Sequence, residues 1–123
     1  MYGTVCIIDH DADMREVLAR VGRSVGLGCE LHECAESFLA AQDESRIGCI
    51  VIELRMVNAL AVLKRIAEFE RRVPVFVISA PYTADAAAYV SCLDAAVIGK
   101  PFDVRLLAQR IRTAVGAPTP WAV

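Results

Sequence analysis

Short apolar runs alternate along the chain with longer segments in which apolar residues recur every three or four positions. Continuous apolar runs are typical of strands buried on both faces of a parallel sheet, and the wider spacing is typical of amphipathic helices. The pattern predicts five strands, at residues 5–8, 29–32, 49–54, 75–78 and 95–98. Because a helical segment follows each strand, we expect an α/β domain whose parallel sheet is covered on both faces.

The helical segments carry their own start signals. Asp11 or Asp13 can cap the first helix, and Asp103 can cap the last. On the last helix the spacing assigns an inward face to four apolar residues: Leu106, Leu107, Ile111 and Val115. The sequence therefore predicts five strand–helix units in succession.

Length and composition fit a single domain with an unusually large apolar share. Hydrophobic residues make up 56% of the 123 positions, against roughly 45–50% in typical soluble domains. The excess indicates a core buried on two sides, or an apolar surface that meets a partner. We assign residues 1–115 to the domain and the proline-containing segment 116–123 to a tail or linker.

Charge and cysteine content exclude several classes of function. The net charge of −2 lacks the basic excess of a nucleic-acid-binding domain. No apolar stretch approaches the roughly 20 residues of a membrane span, and the start of the chain does not resemble a signal peptide. The five cysteines contain no Cys-x-x-Cys pair, which argues against zinc-ribbon and thioredoxin-like sites. We expect a cytoplasmic protein with reduced thiols and no membrane contact.

Polar residues follow the predicted strands at their carboxyl ends. In parallel sheets these ends meet at one edge, where the reactive groups of such folds collect. Glu53 draws particular notice because it ends the apolar run CIVIE, and buried carboxylates are rare without a partner. The edge is predicted to gather six residues: Asp9, His10, Asp11, Glu53, Ser79 and Lys100.

The sequence Lys-Pro-Phe after the last strand, combined with the acidic cluster after the first, resembles response-regulator receiver domains. These CheY-like domains take a phosphoryl group from a histidine kinase. The stretches ECAESFLAAQ and GCIVIELRMV are especially similar to the receivers of FixJ-type transcription regulators. The resemblance runs from Val5 to Val115 and implies a doubly wound, CheY- or flavodoxin-like sheet of strand order 2-1-3-4-5 with five helices.

The resemblance also implies roles for the residues at the sheet edge. In the family an acidic pair after strand one holds Mg²⁺, and an Asp that ends strand three accepts the phosphoryl group. A hydroxyl after strand four and a Lys after strand five contact the phosphoryl oxygens. Asp9 matches the first acid, Ser79 matches the hydroxyl and Lys100 matches the lysine. Asp11 lies in the same acidic pocket.

Five positions depart from the family pattern, and three of them bear on the chemistry of the pocket; the other two are Val57, in place of a common Pro, and Ala61, in place of a common Gly. Glu53 stands where the acceptor Asp belongs, His10 replaces the second acid, and Val97 replaces the aromatic residue that swings inward on activation. Glu is longer than Asp by one C–C bond, roughly 1.5 Å, and a misplacement of about 1 Å can cost on the order of 10²-fold in rate. A histidine nitrogen suits Zn, Cu or Ni better than Mg²⁺.

These departures predict a pocket with little affinity for Mg²⁺ and no required cofactor. Asp9 and Glu53 are its candidate Mg²⁺ ligands, and the pocket's formal charge changes from about −2 in an ordinary receiver to about −1 here. The longer Glu53 side chain can instead reach Lys100. We predict an ion pair between Glu53 and Lys100 that occupies the pocket without ligand.

The leading hypothesis is a non-enzymatic pseudo-receiver that is not phosphorylated and acts through protein–protein contacts. Its partners would be a histidine kinase, another regulator, its own output domain or a second copy of the chain, and not nucleic acid. The alternative is an active receiver that is phosphorylated on Glu53 or Asp11 and regulates transcription through an output domain outside this chain. A further alternative is a metal-dependent enzyme or metal switch that uses Asp9, His10 and Glu53. Taken singly, Glu53 can also be a solvated strand-end acid and His10 a loop histidine.

Overall fold

The computed structural model describes residues 3–41, 43–78 and 84–117. Its strands are β1 (Thr4–Ile8), β2 (Gly28–His32), β3 (Ile47–Glu53), β4 (Val75–Ile78) and β5 (Ala96–Ile98). Its α-helices are α1 (Ala12–Ser24), α2 (Ala35–Ala40), α3 (Ala59–Ala67), α4 (Ala84–Cys92) and α5 (Val104–Val115). A 3₁₀ turn at Glu44–Arg46 precedes β3.

All neighbouring strands pair in parallel, and the sheet order is β2-β1-β3-β4-β5. The predicted five-stranded, doubly wound α/β fold is therefore confirmed. Glu53 pairs with Ile78, and Ile78 pairs with Ile98, so the ends of β3, β4 and β5 are level at one edge. The residues that follow these strands are brought to the same edge.

Two apolar clusters cover the two faces of the sheet. One packs alternate residues of β1, such as Cys6 and Ile8, against α2, α3 and α4. The other packs Val5 and Ile7 against α1 and α5. Because side chains alternate along a strand, a sheet covered on both faces requires continuous apolar runs. This double layer accounts for the high apolar content.

Helix caps follow the sequence signals, but one predicted core residue is wrong. The Asp11 carboxylate accepts hydrogen bonds from two N–H groups at the start of α1, and that of Asp103 accepts one from Arg105 N–H in α5. Leu107 is buried, whereas Leu106 is 53% exposed. Adjacent residues of an α-helix point about 100° apart, so Leu106 cannot share the inward direction of Leu107.

Two predictions fall on parts of the chain that are not described. Ser79 lies outside the described residues, as do residues 118–123 of the predicted tail. Gly116 ends α5 with a left-handed φ of 77°, a conformation that glycine adopts without strain. In the described part of the chain, no helix has the length and apolar character needed to cross a membrane.

Candidate functional site

Glu53 is held at the centre of the carboxyl edge of the sheet. It is the last residue of β3, and only 2% of its side chain is exposed. Its Oε2 accepts a hydrogen bond from Lys100 Nζ at 2.7 Å, and its Oε1 accepts one from the Arg55 backbone N–H at 2.9 Å. The predicted ion pair between Glu53 and Lys100 is therefore confirmed.

Sheet geometry explains why this pair needs two long side chains. Glu53 ends β3, whereas Lys100 follows β5, and β4 lies between them. Neighbouring strands are about 4.8 Å apart, so the two backbones are separated by roughly 10 Å. A glutamate and a lysine together can span that gap, with the pair passing over the end of β4. The Lys100 side chain remains 42% exposed, so the pair is open to solvent on its lysine side.

Asp9 lies beside this pair and is almost fully buried, with 1% exposure. Its Oδ1 accepts a hydrogen bond from the Asp11 backbone N–H at 2.9 Å, and its backbone carbonyl accepts one from Arg15 Nη1 at 2.8 Å. Its Oδ2 is buried and has no hydrogen-bond partner among the described residues. Among the described residues, Asp9 thus presents one carboxylate oxygen without a partner at the sheet edge.

Burial raises the pKa of Asp9 above its ordinary value. The hydrogen bond from Asp11 opposes this change, the negative charge of Glu53 adds to it, and the positive charge of Lys100 opposes it. The net increase, caused chiefly by burial, indicates that ionisation of Asp9 is unfavourable in this pocket. The positive charge of Lys100 compensates the negative charge of Glu53 more than that of Asp9, because it is Glu53 that contacts Lys100.

Replacing Asp9 with asparagine is expected to stabilise the domain at neutral pH. A carboxyl group whose pKa is higher in the folded chain than in the unfolded chain makes the fold less stable as the pH rises from the unfolded pKa through the folded pKa. Asparagine keeps an acceptor for the Asp11 N–H without the charge. We expect a gain of about 1 kcal/mol in the free energy of unfolding near pH 7, and no gain below the ordinary pKa of 3.8.

Urea unfolding near pH 3 and near pH 7 measures this pH dependence. Asp11→Asn is the matched control, because Asp11 is exposed and asparagine caps helices about as well as aspartate. A gain for Asp9→Asn that is equal at both pH values would argue against ionisation as its cause.

The other predicted residues lie at the rim of the pocket or outside it. The side chain of His10 is 65% exposed, and its Nδ1 is 3.7 Å from Asp9 Oδ1. Asp11 was predicted to contribute an acid to the pocket, but its exposed carboxylate caps α1 and only its N–H reaches Asp9. Val97, in β5, is 43% exposed. The sequence does not predict the hydrogen bond from the Arg55 N–H to Glu53, since a backbone donor leaves no signal in residue identity.

The response regulator receiver domain model matches residues 5–112 of the chain. The chain belongs to this family. Curated relatives include the response regulator protein TmoT of Ectopseudomonas mendocina, 30% identical over 116 residues that cover 90% of this chain and 52% of TmoT. The transcriptional regulatory protein FixJ of Bradyrhizobium diazoefficiens is 29% identical over 123 residues, covering 98% of this chain and 60% of FixJ.

Solved structures agree with this assignment. Full-length FixJ from B. japonicum superposes with a TM-score of 0.76 at 29% identity, covering 93% of this chain and 58% of that structure. The apo receiver domain of nitrogen regulatory protein C superposes with a TM-score of 0.77 at 29% identity, covering 94% of this chain and 95% of that structure. This chain is thus a CheY-like receiver domain of a two-component response regulator, and it spans about half to three-fifths of the length of TmoT and FixJ.

Proposed function

We propose that this receiver signals without accepting a phosphoryl group and acts as a protein–protein interaction module rather than as an enzyme. The observation that carries the proposal is the 2.7 Å contact between Lys100 Nζ and Glu53 Oε2. The contact places a cation of the protein itself against the carboxylate at the acceptor position. The pocket is then charge-compensated without a phosphoryl group or a metal ion.

Phosphoryl transfer to Glu53 is disfavoured by the bonding of its carboxylate. The attacking oxygen must lie in line with the leaving group, and catalysis of this transfer is almost wholly positioning and charge neutralisation. Glu53 Oε1 accepts from the Arg55 N–H and Oε2 accepts from Lys100, so each oxygen already has a donor. Attack by Oε2 requires Lys100 to leave, which uncovers a buried negative charge.

The residues present fit a magnesium ion poorly. Mg²⁺ requires hard oxygen ligands in near-octahedral geometry. Asp9 Oδ2 is suited to be one such ligand because it is buried without a partner in the described part of the chain. His10 offers a nitrogen on an exposed side chain, and Glu53 is engaged by Lys100. We infer that Mg²⁺ binds weakly or not at all.

Output through protein contacts is supported by apolar side chains on the exposed face of β5 and α5. Val97, Val104 and Leu106 are each more than 40% exposed, and Val97 and Leu106 line one shallow surface pocket. We propose that this face binds a second copy of the chain, an output domain or a histidine kinase in the cytoplasm. The net charge of −2 provides no overall basic excess that would attract nucleic acid.

The alternative is an active receiver that regulates transcription through an output domain beyond this chain. Asp9 Oδ2 favours it, because this buried oxygen has no donor among the residues that the structure describes and is suited to receive a cation. In this alternative, cation binding at Asp9 would draw Glu53 away from Lys100 and expose a nucleophilic oxygen.

Incubation with acetyl phosphate and Mg²⁺, followed by intact-mass spectrometry, separates the two proposals. We expect no gain in mass for this chain, because Lys100 covers the acceptor. The FixJ receiver domain provides the comparison sample, and Glu53→Gln and Asp11→Asn variants provide site controls. A stoichiometric gain of one phosphoryl group that is absent from Glu53→Gln would refute the proposed function, and a gain absent from Asp11→Asn would place the modification at the other candidate acid.

A further inference from the structure

A second polar cluster lies on the α2 side of the sheet, away from the pair of Glu53 and Lys100. Cys6 in β1 pairs in register with Glu30 in β2, and His32 follows two residues later on the same strand. Strand residues two apart share one face, so the three side chains meet between β1, β2 and α2. Cys6 and His32 are buried, with 0% and 4% exposure.

The potential ligand atoms of this cluster converge on one point. Cys6 Sγ is 3.1 Å from Glu30 Oε2, and His32 Nε2 is 3.0 Å from the same oxygen. All three ligand atoms lie within 4.8 Å of one another. Among the described residues, these three side chains form the one group of His, Cys, Asp or Glu whose ligand atoms are close enough to share a metal ion.

We propose that Cys6, Glu30 and His32 form a binding site for Zn²⁺. Zinc takes cysteine sulfur at about 2.3 Å, histidine nitrogen at about 2.0–2.1 Å and carboxylate oxygen at about 2.0–2.2 Å, in tetrahedral geometry. These bond lengths place neighbouring ligand atoms roughly 3.4–3.6 Å apart. The two separations that involve Glu30 Oε2 therefore need to open by only about half an ångström.

Glu30 is the side chain that must move to admit the ion, and it has room to do so. Glu30 joins both contacts, and its side chain is 46% exposed, so rotation of its carboxylate can admit the ion. The same exposure leaves a path for the metal and room for a water molecule as fourth ligand. Both the open position and the single Cys distinguish the site from a closed structural zinc site of four protein ligands.

The histidine is already oriented for this role. His32 Nδ1 is 2.7 Å from Ser37 Oγ in α2, and its ring meets Phe38 edge-on with centroids 5.6 Å apart. The Glu30 carboxylate can only accept, so Nε2–H donates to it in the metal-free chain and Nδ1 of the neutral ring accepts from Ser37 Oγ. Zn²⁺ binding requires the ring proton to move from Nε2 to Nδ1, which then donates to Ser37 Oγ and keeps the orientation of the imidazole. Ser37 and Phe38 therefore hold Nε2 toward Glu30 and Cys6.

Charge also favours a divalent cation here. Burial and the neighbouring Glu30 carboxylate raise the pKa of the Cys6 thiol, which is therefore protonated in the metal-free chain. When Zn²⁺ binds, the thiol proton passes to solvent, and a thiolate, a carboxylate and a neutral imidazole together cancel the +2 charge. A neutral centre avoids the large free-energy cost of a buried net charge.

Cobalt titration of the full chain, purified with a chelator and kept reduced by a phosphine, tests the site. Co²⁺ replaces Zn²⁺ in tetrahedral sites and is visible through a thiolate-to-cobalt charge-transfer band. We expect one equivalent of Co²⁺ to produce that band and Zn²⁺ to abolish it. Zn²⁺ should also raise the melting temperature by several degrees, in a concentration-dependent manner.

Variants decide whether these three residues hold the ion. Cys6→Ser should abolish the band, and Glu30→Gln should weaken binding by roughly 10-fold or more. Glu33→Gln and Cys49→Ser are matched controls that should bind as the unmodified chain does. Glu30 is an exposed strand residue, so its variant is expected to fold even if Cys6→Ser does not. Absence of the band, or an undiminished affinity in Glu30→Gln, overturns the proposal and leaves a metal-free hydrogen-bonded cluster.

Discussion

Replacing Lys100 with methionine is expected to lower the free energy of unfolding by about 2 kcal/mol. The change leaves the Glu53 carboxylate, 2% exposed, without the ammonium group that lies 2.7 Å from its Oε2. Breaking a fully buried pair by removing one partner costs about 3–5 kcal/mol, and we reduce that value because the Lys100 side chain is 42% exposed. Urea unfolding at neutral pH measures the loss, with an unchanged denaturant slope expected.

The double variant Lys100→Met with Glu53→Gln separates the cost of breaking the pair from its net contribution. Desolvation offsets much of the attraction in a buried pair, so removing both charges is expected to recover most of the loss. Lys64→Met is the matched control, because Lys64 is the chain's other lysine and lies exposed on α3. If Lys100→Met unfolds at the same urea concentration as the unmodified chain, the pair does not compensate the buried charge, and the proposed function loses its main support.

The parallel sheet and the place of the pair at its edge could be predicted from the pattern of apolar runs and one geometric rule, whereas the strand order was implied by the resemblance to receiver domains. Parallel strands must end at a common edge, so any residue that directly follows a buried strand has a predictable position. Glu53 and Lys100 both meet that condition, and their lengths match the gap across β4. Asp9 meets it as well, and the structure buries it beside Glu53.

Details that depend on local backbone geometry were not predictable. The Asp11 carboxylate turns toward the N–H groups of α1 rather than toward Glu53, and both directions are compatible with its place in the sequence. The exposure of Leu106 depends on the rotation of α5, which a period of three or four residues does not fix to one position. The donor that Arg55 supplies to Glu53 is a backbone group, which every non-proline residue carries.

The cluster of Cys6, Glu30 and His32 escaped the sequence analysis for a related reason. Metal motifs are recognised by short spacing along the chain, and the search for Cys-x-x-Cys pairs found none. Here the ligands come together through the register of β1 with β2, so Cys6 and Glu30 are 24 positions apart yet hydrogen-bonded. The sequence did carry one signal, because Glu30 and His32 are two residues apart on an edge strand and therefore share one face.

The variant with both Glu53→Asp and His10→Asp is expected to gain phosphorylation by acetyl phosphate in the presence of Mg²⁺. Shortening residue 53 by one C–C bond, roughly 1.5 Å, opens its contact with Lys100 and leaves space for a phosphoryl group. An aspartate at position 10 adds a hard oxygen ligand, since His10 Nδ1 is already 3.7 Å from Asp9 Oδ1. The pocket charge falls from about −1 to about −2, which favours a divalent cation.

Each single change is expected to leave the chain nearly unlabelled. Glu53→Asp alone lacks the second acid, and His10→Asp alone leaves the carboxylate of Glu53 bound to Lys100. We expect the double variant to be labelled at least about 10²-fold faster than either single variant, because both positioning and metal binding must be restored. Intact-mass time courses measure the rates, and Glu53→Asn with His10→Asp is the control that removes the acceptor. Efficient labelling of Glu53→Asp alone would show that Asp9 suffices to hold the metal. The length of the Glu53 side chain would then be the whole reason why the unmodified chain is not phosphorylated.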